Sequence, residues 1–167
     1  MNQTIASSAH LPALGAHQRE ETGNQLQATL VELVDLSLVG KQLHWSVVGP
    51  NFVPLHLQLD ELVDSWRELG DTVAERAVAI GVFPDGQAAA VAAAGELRPV
   101  ERGPIDDSHV VEDLVRRLAD TTERIRGRMD RLGELDAASQ DVLIEVVREL
   151  EKQQWMIRSQ LGQGHDR

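Results

Sequence analysis

The stretch Lys41–Pro84, KQLHWSVVGPNFVPLHLQLDELVDSWRELGDTVAERAVAIGVFP, constrains the fold more than any other part of the chain. It carries five side chains of metal-ligating type, His44, His56, Asp60, Asp71 and Glu75, at spacings that helices explain. Gly49-Pro50-Asn51 breaks the pattern, since glycine opens unusual backbone angles and proline cannot continue the hydrogen-bond ladder. With Pro50 as hinge, His44 stands six residues before it and His56 six after, so an antiparallel helix pair sets the two imidazoles at one height.

On the second helix His56 and Asp60 are four residues apart, as are Asp71 and Glu75, which places each pair on one face. Eleven residues separate Asp60 from Asp71, so the pairs point the same way but stand ~16 Å apart along the axis. One chain therefore cannot bring both pairs to one ion. Two copies packed antiparallel about a two-fold axis can, because His56 then opposes Glu75 and Asp60 opposes Asp71, both pairings centred between Ser65 and Trp66. The expectation is two equivalent sites per dimer, each built from both chains. Taken singly, His44 reads as a hydrogen-bonded core histidine and Asp71 with Glu75 as a solvated acidic face; the five residues in phase favour a site. Imidazole and carboxylate without thiolate suit iron, manganese or zinc. No Glu-x-x-His motif occurs, so a di-metal centre of that kind inside the bundle is not expected.

Composition narrows the alternatives. A chain of 167 residues without cysteine is long enough for one cored domain and has no disulfide or thiolate chemistry. No apolar run approaches the ~20 residues that cross a bilayer, so no membrane partner is expected and a cytoplasmic location is the default. The formal charge is −11, and Lys41 and Lys152 are the only lysines, so the surface attracts cations and repels phosphate backbones. Tyrosine is absent, which leaves little for stacking on bases.

Residues 1–21, with Pro12, Gly15 and the lone basic Arg19, read as an arm. A first helix is expected from Gly23 to Val48, with a stripe at Leu26, Leu30, Leu33, Ser37, Gly40, His44 and Val47. A second runs from Phe52 to Ile80 on Leu55, Leu59, Leu62, Trp66, Leu69, Val73, Ala77 and Ile80, and small and apolar residues between its acids suggest that another subunit covers the ligand face. Glycine, proline and alanine dominate 83–105, a long crossover in which Gln87–Ala94 forms a short helix. The third helix follows Asp106-Asp107-Ser108 and mixes arginines with acids on its polar faces, the pattern of a solvated or subunit-contacting surface. Asp136 caps the fourth.

The run His44-Trp45-Ser46-Val47-Val48-Gly49, with Asn51-Phe52, Leu55-His56, Leu59-Asp60-Glu61, Asp71-Thr72-Val73-Ala74-Glu75-Arg76 and Gly81, resembles the Dps miniferritins, the DNA-binding proteins from starved cells. The resemblance covers most of the chain. It implies an all-α, ferritin-like four-helix bundle over 22–162, with a crossover helix between helices 2 and 3, flanked by the 1–21 arm and a 163–167 tail. It further implies a homo-oligomeric hollow dodecamer that oxidises Fe(II) with hydrogen peroxide, stores ferric mineral and protects DNA. In that reading Asp60 and Glu75 of opposing chains hold or bridge iron, His44 and His56 complete its coordination, Asp71 serves a second ion or water, and Trp45 adjoins the site. Asp136, Asp141 and Glu145 match in type and spacing the acids that line the family's three-fold pores; a cap followed by exposed acids fits them equally. The family's lysine-rich tail is missing, so DNA binding is doubtful. An architectural, nucleoid-associated DNA-binding protein and a helical assembly with a structural metal remain the alternatives.

Overall fold

The computed structural model describes residues 11–164, with side chains as far as Leu161. Residues 1–10 of the expected arm and 165–167 of the expected tail lie outside the described residues. Four long helices carry the structure: α1 (Ala16–Ser46), α2 (Phe52–Ala79), α4 (Asp107–Gly133) and α5 (Ala137–Arg158). The short α3 (Ala88–Ala94) lies within the crossover, and a 3-10 helix, Ser159–Gly164, closes the described chain. The ferritin-like all-helical expectation holds.

Polar contacts at the two ends establish the direction of each helix. Glu21, near the start of α1, meets Arg131 at the end of α4, and Glu32 meets Arg124 and Arg128, so α1 and α4 are antiparallel. At the opposite end β1 (Val47–Val48) pairs in parallel with β2 (Ile105–Asp106), directly before α4. The starts of α2 and α4 therefore share one end, and the crossover makes them parallel. Arg76 at the end of α2 reaches Asp136 at the start of α5, while Gln58 meets Gln160, so these two helices are antiparallel.

Apolar periodicity buries the predicted stripes. Leu26, Leu33, Leu43, Leu59, Trp66, Leu114, Leu118, Leu143 and Leu150 are all without exposure, and each such side chain contributes about 1.5–3 kcal/mol. The Trp66 indole N–H donates to Gln153 Oε1 at 2.7 Å, and Gln153 Nε2 donates to Ser65 Oγ at 2.9 Å, so the middle of the bundle is filled and its polar atoms are partnered. Gly81, at φ +84°, ends α2: Val82 N–H donates back to Ala77 O at 2.9 Å and Gly81 N–H to Val78 O at 2.8 Å.

Three expectations need correction. First, α1 begins at Ala16 rather than Gly23, so residues 16–21 belong to the bundle. Arg19 is buried there, its Nε donating to Ile80 O at 2.8 Å and its Nη2 to Pro12 O at 3.0 Å. Second, α1 stops at Ser46, because Val47 and Val48 turn extended to pair with Ile105 and Asp106. Third, the arginines of α4 are not all surface charges. Arg124 Nε donates to Glu32 Oε1 at 2.5 Å, Arg128 reaches both Glu32 oxygens, and Arg117 is buried against Asp113 and Arg98 O. Glu32 is 1% exposed, so its charge is stable only with these partners.

Candidate metal centre

The turn between α1 and α2 places the two imidazoles. Gly49, at φ +128°, occupies a region closed to most side chains, and its carbonyl accepts from Phe52 N–H at 3.1 Å. The Asp107 carboxylate clamps the turn from α4 by accepting Asn51 N–H at 2.7 Å. At Gly49 an added Cβ would meet that carboxyl carbon at 2.8 Å, so glycine is required on two counts.

Across the hairpin the histidines hold one another. His44 Nδ1 lies 2.9 Å from His56 O and His56 Nδ1 lies 3.0 Å from His44 O. Backbone carbonyls only accept, so each Nδ1 donates in these bonds, and in the neutral ring it is Nε2 that carries the lone pair. The rings stack with centroids 3.6 Å apart, and Phe52 packs against His56 at 4.9 Å. Such second-partner bonds fix tautomer and ring orientation before any metal arrives.

Asp60, one turn beyond His56, completes the group. Among the described residues, His44, His56 and Asp60 are the one set of three His, Cys, Asp or Glu whose ligand atoms all lie within 4.8 Å of one another. Asp60 Oδ1 stands 3.4 Å from His44 Nδ1 and also accepts a hydrogen bond from Lys41 Nζ. The Lys41 bond is the largest influence on the Asp60 carboxyl and, with the nearby Lys41 charge, holds it below the usual carboxylate range against its partial burial. Two imidazoles and a carboxylate so grouped could supply three ligand atoms to one metal ion.

Asp71 and Glu75 are not in this group. They lie exposed further along α2, with Val78, 45% exposed, beyond them. Asp71 borders a groove of about 410 Å³ between α1, α2 and the crossover, lined by Leu30, Val34, Leu38, Gly70 and Ala74. Trp45 projects from α1 beside His44 and is 70% exposed. Asp136 accepts from Ser139 N–H at 3.2 Å as the α5 cap and from Arg76 Nη2 at 2.7 Å, so its carboxylate is engaged within the chain. Asp141 and Glu145 are exposed on α5.

A family profile of the ferritin-like domain matches residues 23–165. The DNA protection during starvation protein of Mycolicibacterium smegmatis is 35% identical over 157 residues, covering 93% of this chain and 85% of that one. The chain belongs to the Dps family of miniferritins. A second Dps relative, DNA protection during starvation protein 2 of Deinococcus radiodurans, is 33% identical, and the match spans 89% of this chain but 62% of that protein's length. Among solved structures, Mycobacterium smegmatis Dps in its tetragonal form superposes with a TM-score of 0.89 at 31% identity, covering 95% of this chain and 96% of that chain. DpsA14 from Streptomyces coelicolor gives 0.90 at 30% identity, covering 98% and 96%.

Lys41 went unread in the sequence because an ammonium is not a metal ligand. Its signal was present: it lies three residues before His44, on the same helical face, and is one of two lysines in the chain.

Proposed function

We propose that this Dps-family chain is a ferroxidase and iron-storage protein, oxidising Fe(II) with hydrogen peroxide at sites shared by two-fold related subunits and storing ferric mineral within a hollow dodecamer. The observation that supports this reading is the reciprocal histidine pair, whose mutual bonds use the Nδ1 atoms and leave each Nε2 out of them, grouped with Asp60 so that one ligand atom of each residue lies within 4.8 Å of the others. Fe(II) is the substrate. It takes the Nε2 atoms of His44 and His56 and an oxygen of Asp60 from one chain, and the partner subunit's Glu75 supplies the bridging carboxylate. The partner subunit's Asp71 ligates or orients a second, weaker Fe(II) or a water. Support for a covering subunit comes from the apolar groove beside Asp71 and from exposed Leu38 and Val78 on the same side as the acids.

Two Fe(II) ions give up one electron each, and the peroxide O–O bond accepts both, taking two protons to leave as water. Paired transfer limits release of hydroxyl radical. The ferric product hydrolyses and passes to the acidic interior, where Glu61 and Asp64 are exposed on α2. Asp141 and Glu145 are the better candidates for a pore lining, because Asp136 is held by Arg76. Trp45 adjoins the site and is placed to donate an electron to stray oxidant.

The test is anaerobic Fe(II) loading of metal-free protein, then substoichiometric peroxide, with ferric absorbance followed against a protein-free control. Rapid oxidation of two Fe(II) per peroxide to a soluble core is expected. Asp60→Ala and Glu75→Ala should each fall to the control rate while the assembly stays intact. Wild-type oxidation no faster than the control would overturn the reading and leave a structural metal, such as zinc, as the occupant to identify.

A further inference from the structure

Lys41 Nζ donates to Asp60, and the acceptor is Asp60 Oδ1, the oxygen that also stands 3.4 Å from His44 Nδ1. Lys41 is only partly exposed, at 27% of its side chain, and lies one helical turn before His44 on the same face of α1. Its ammonium is therefore seated on an Asp60 oxygen that a metal ion could use. An N–H donor and a divalent cation compete for one carboxylate oxygen, and two cations side by side repel.

We propose that Lys41 is a displaceable counter-cation, occupying the metal's place on Asp60 between turnovers and setting how tightly the site loads. The inference rests on the ferroxidase reading and deepens it. In the metal-free site the ammonium holds the Asp60 oxygen beside His44, and it offsets the negative charge that accumulates when the partner subunit's Asp71 and Glu75 come near. On loading, Fe(II) takes the Asp60 oxygen and Lys41 swings out on its flexible four-carbon stem. After oxidation Lys41 returns to Asp60 as the ferric ion leaves, so the exchange lowers the cost of release. A storage enzyme needs this balance, since a site that retained its product would stop after one cycle.

The test compares Co(II), a redox-inert probe with visible d–d bands, in anaerobic titrations of the full-chain assembly. Lys41→Met keeps the apolar stem without the charge and is expected to bind Co(II) about tenfold more tightly than wild type, the equivalent of about one charge-assisted hydrogen bond removed from the competing state. Lys41→Arg keeps a permanent cation and should restore wild-type or weaker binding. Iron turnover supplies the second readout: Lys41→Met should oxidise its first loading normally but slow in later cycles. Lys41→Gln repeats the comparison if Lys41→Met does not fold. Unchanged or weaker Co(II) binding in the uncharged variants overturns the proposal while leaving the site in place. Wild-type protein that shows no Co(II) bands, or an Asp60→Asn variant with undiminished affinity, overturns the site itself.

Discussion

Gly40 faces the seam between α1 and α2 one turn ahead of His44, and a Cβ built there would stand 2.5 Å from Trp66 Cζ3 and 2.7 Å from Val63 Cγ2. Neither neighbour has room to yield, since both are fully buried. Gly40→Ala should lower stability by about 1–3 kcal/mol through overpacking, measured by thermal unfolding. It should also weaken Co(II) binding, because the His44 and His56 bonds cross the same seam. At this scale the sequence was informative about ligands and silent about what holds them. Histidine and carboxylate at helical spacing point to a candidate metal site, but the carbonyl partners of the two Nδ1 atoms are backbone groups and leave no trace in residue identity. Lys41 became readable only once the position of Asp60 Oδ1 was known.

At the scale of elements, the start of α5 is tied to the end of α2 by one carboxylate. Asp136 caps α5 through Ser139 and takes the Arg76 guanidinium. Burial alone would raise its pKa, yet the bonds from Ser139 and Arg76 outweigh that and hold it below the ordinary range. A depressed carboxyl contributes stability that is fully present above its unfolded value and is lost as pH falls through the folded one. Asp136→Ala should cost about 1–3 kcal/mol at neutral pH, from the lost cap and the unpaired arginine, and this cost should shrink toward zero on acidification. Asp35 behaves oppositely: burial raises its pKa despite Leu97 N–H and Arg117, so its contribution weakens as pH rises. Comparing variant with wild type at each pH cancels Asp35 and isolates Asp136. The helices themselves were legible because four amphipathic stripes of unambiguous period were present. The start of α1 was not, since Arg19 reads as surface by type and is buried by virtue of two carbonyls brought from Pro12 and Ile80. The β1–β2 pairing is two residues long, too short to leave a pattern of its own.

On the scale of the whole molecule, a net charge of −11 and the scarcity of lysine oppose a phosphate backbone. A gel shift at low salt should show little or no DNA retained by the assembled protein, and any band should vanish as salt rises. Retention at moderate salt would return the architectural reading to first place. Absence of retention would leave removal of iron and peroxide, rather than coating of the duplex, as the route by which the proposed function could spare DNA. A dodecamer is an expectation of the resemblance alone, because periodicity within one chain bears on a two-fold contact and nothing beyond it. The bundle interior has a different consequence. With Trp66 and Gln153 filling the space between helices, the middle of the bundle is closed by hydrocarbon and amide, and the cluster of His44, His56 and Asp60 lies at the α1–α2 seam rather than there. Substitutions that keep that interior should therefore leave the bundle standing while they change what the histidine pair can hold.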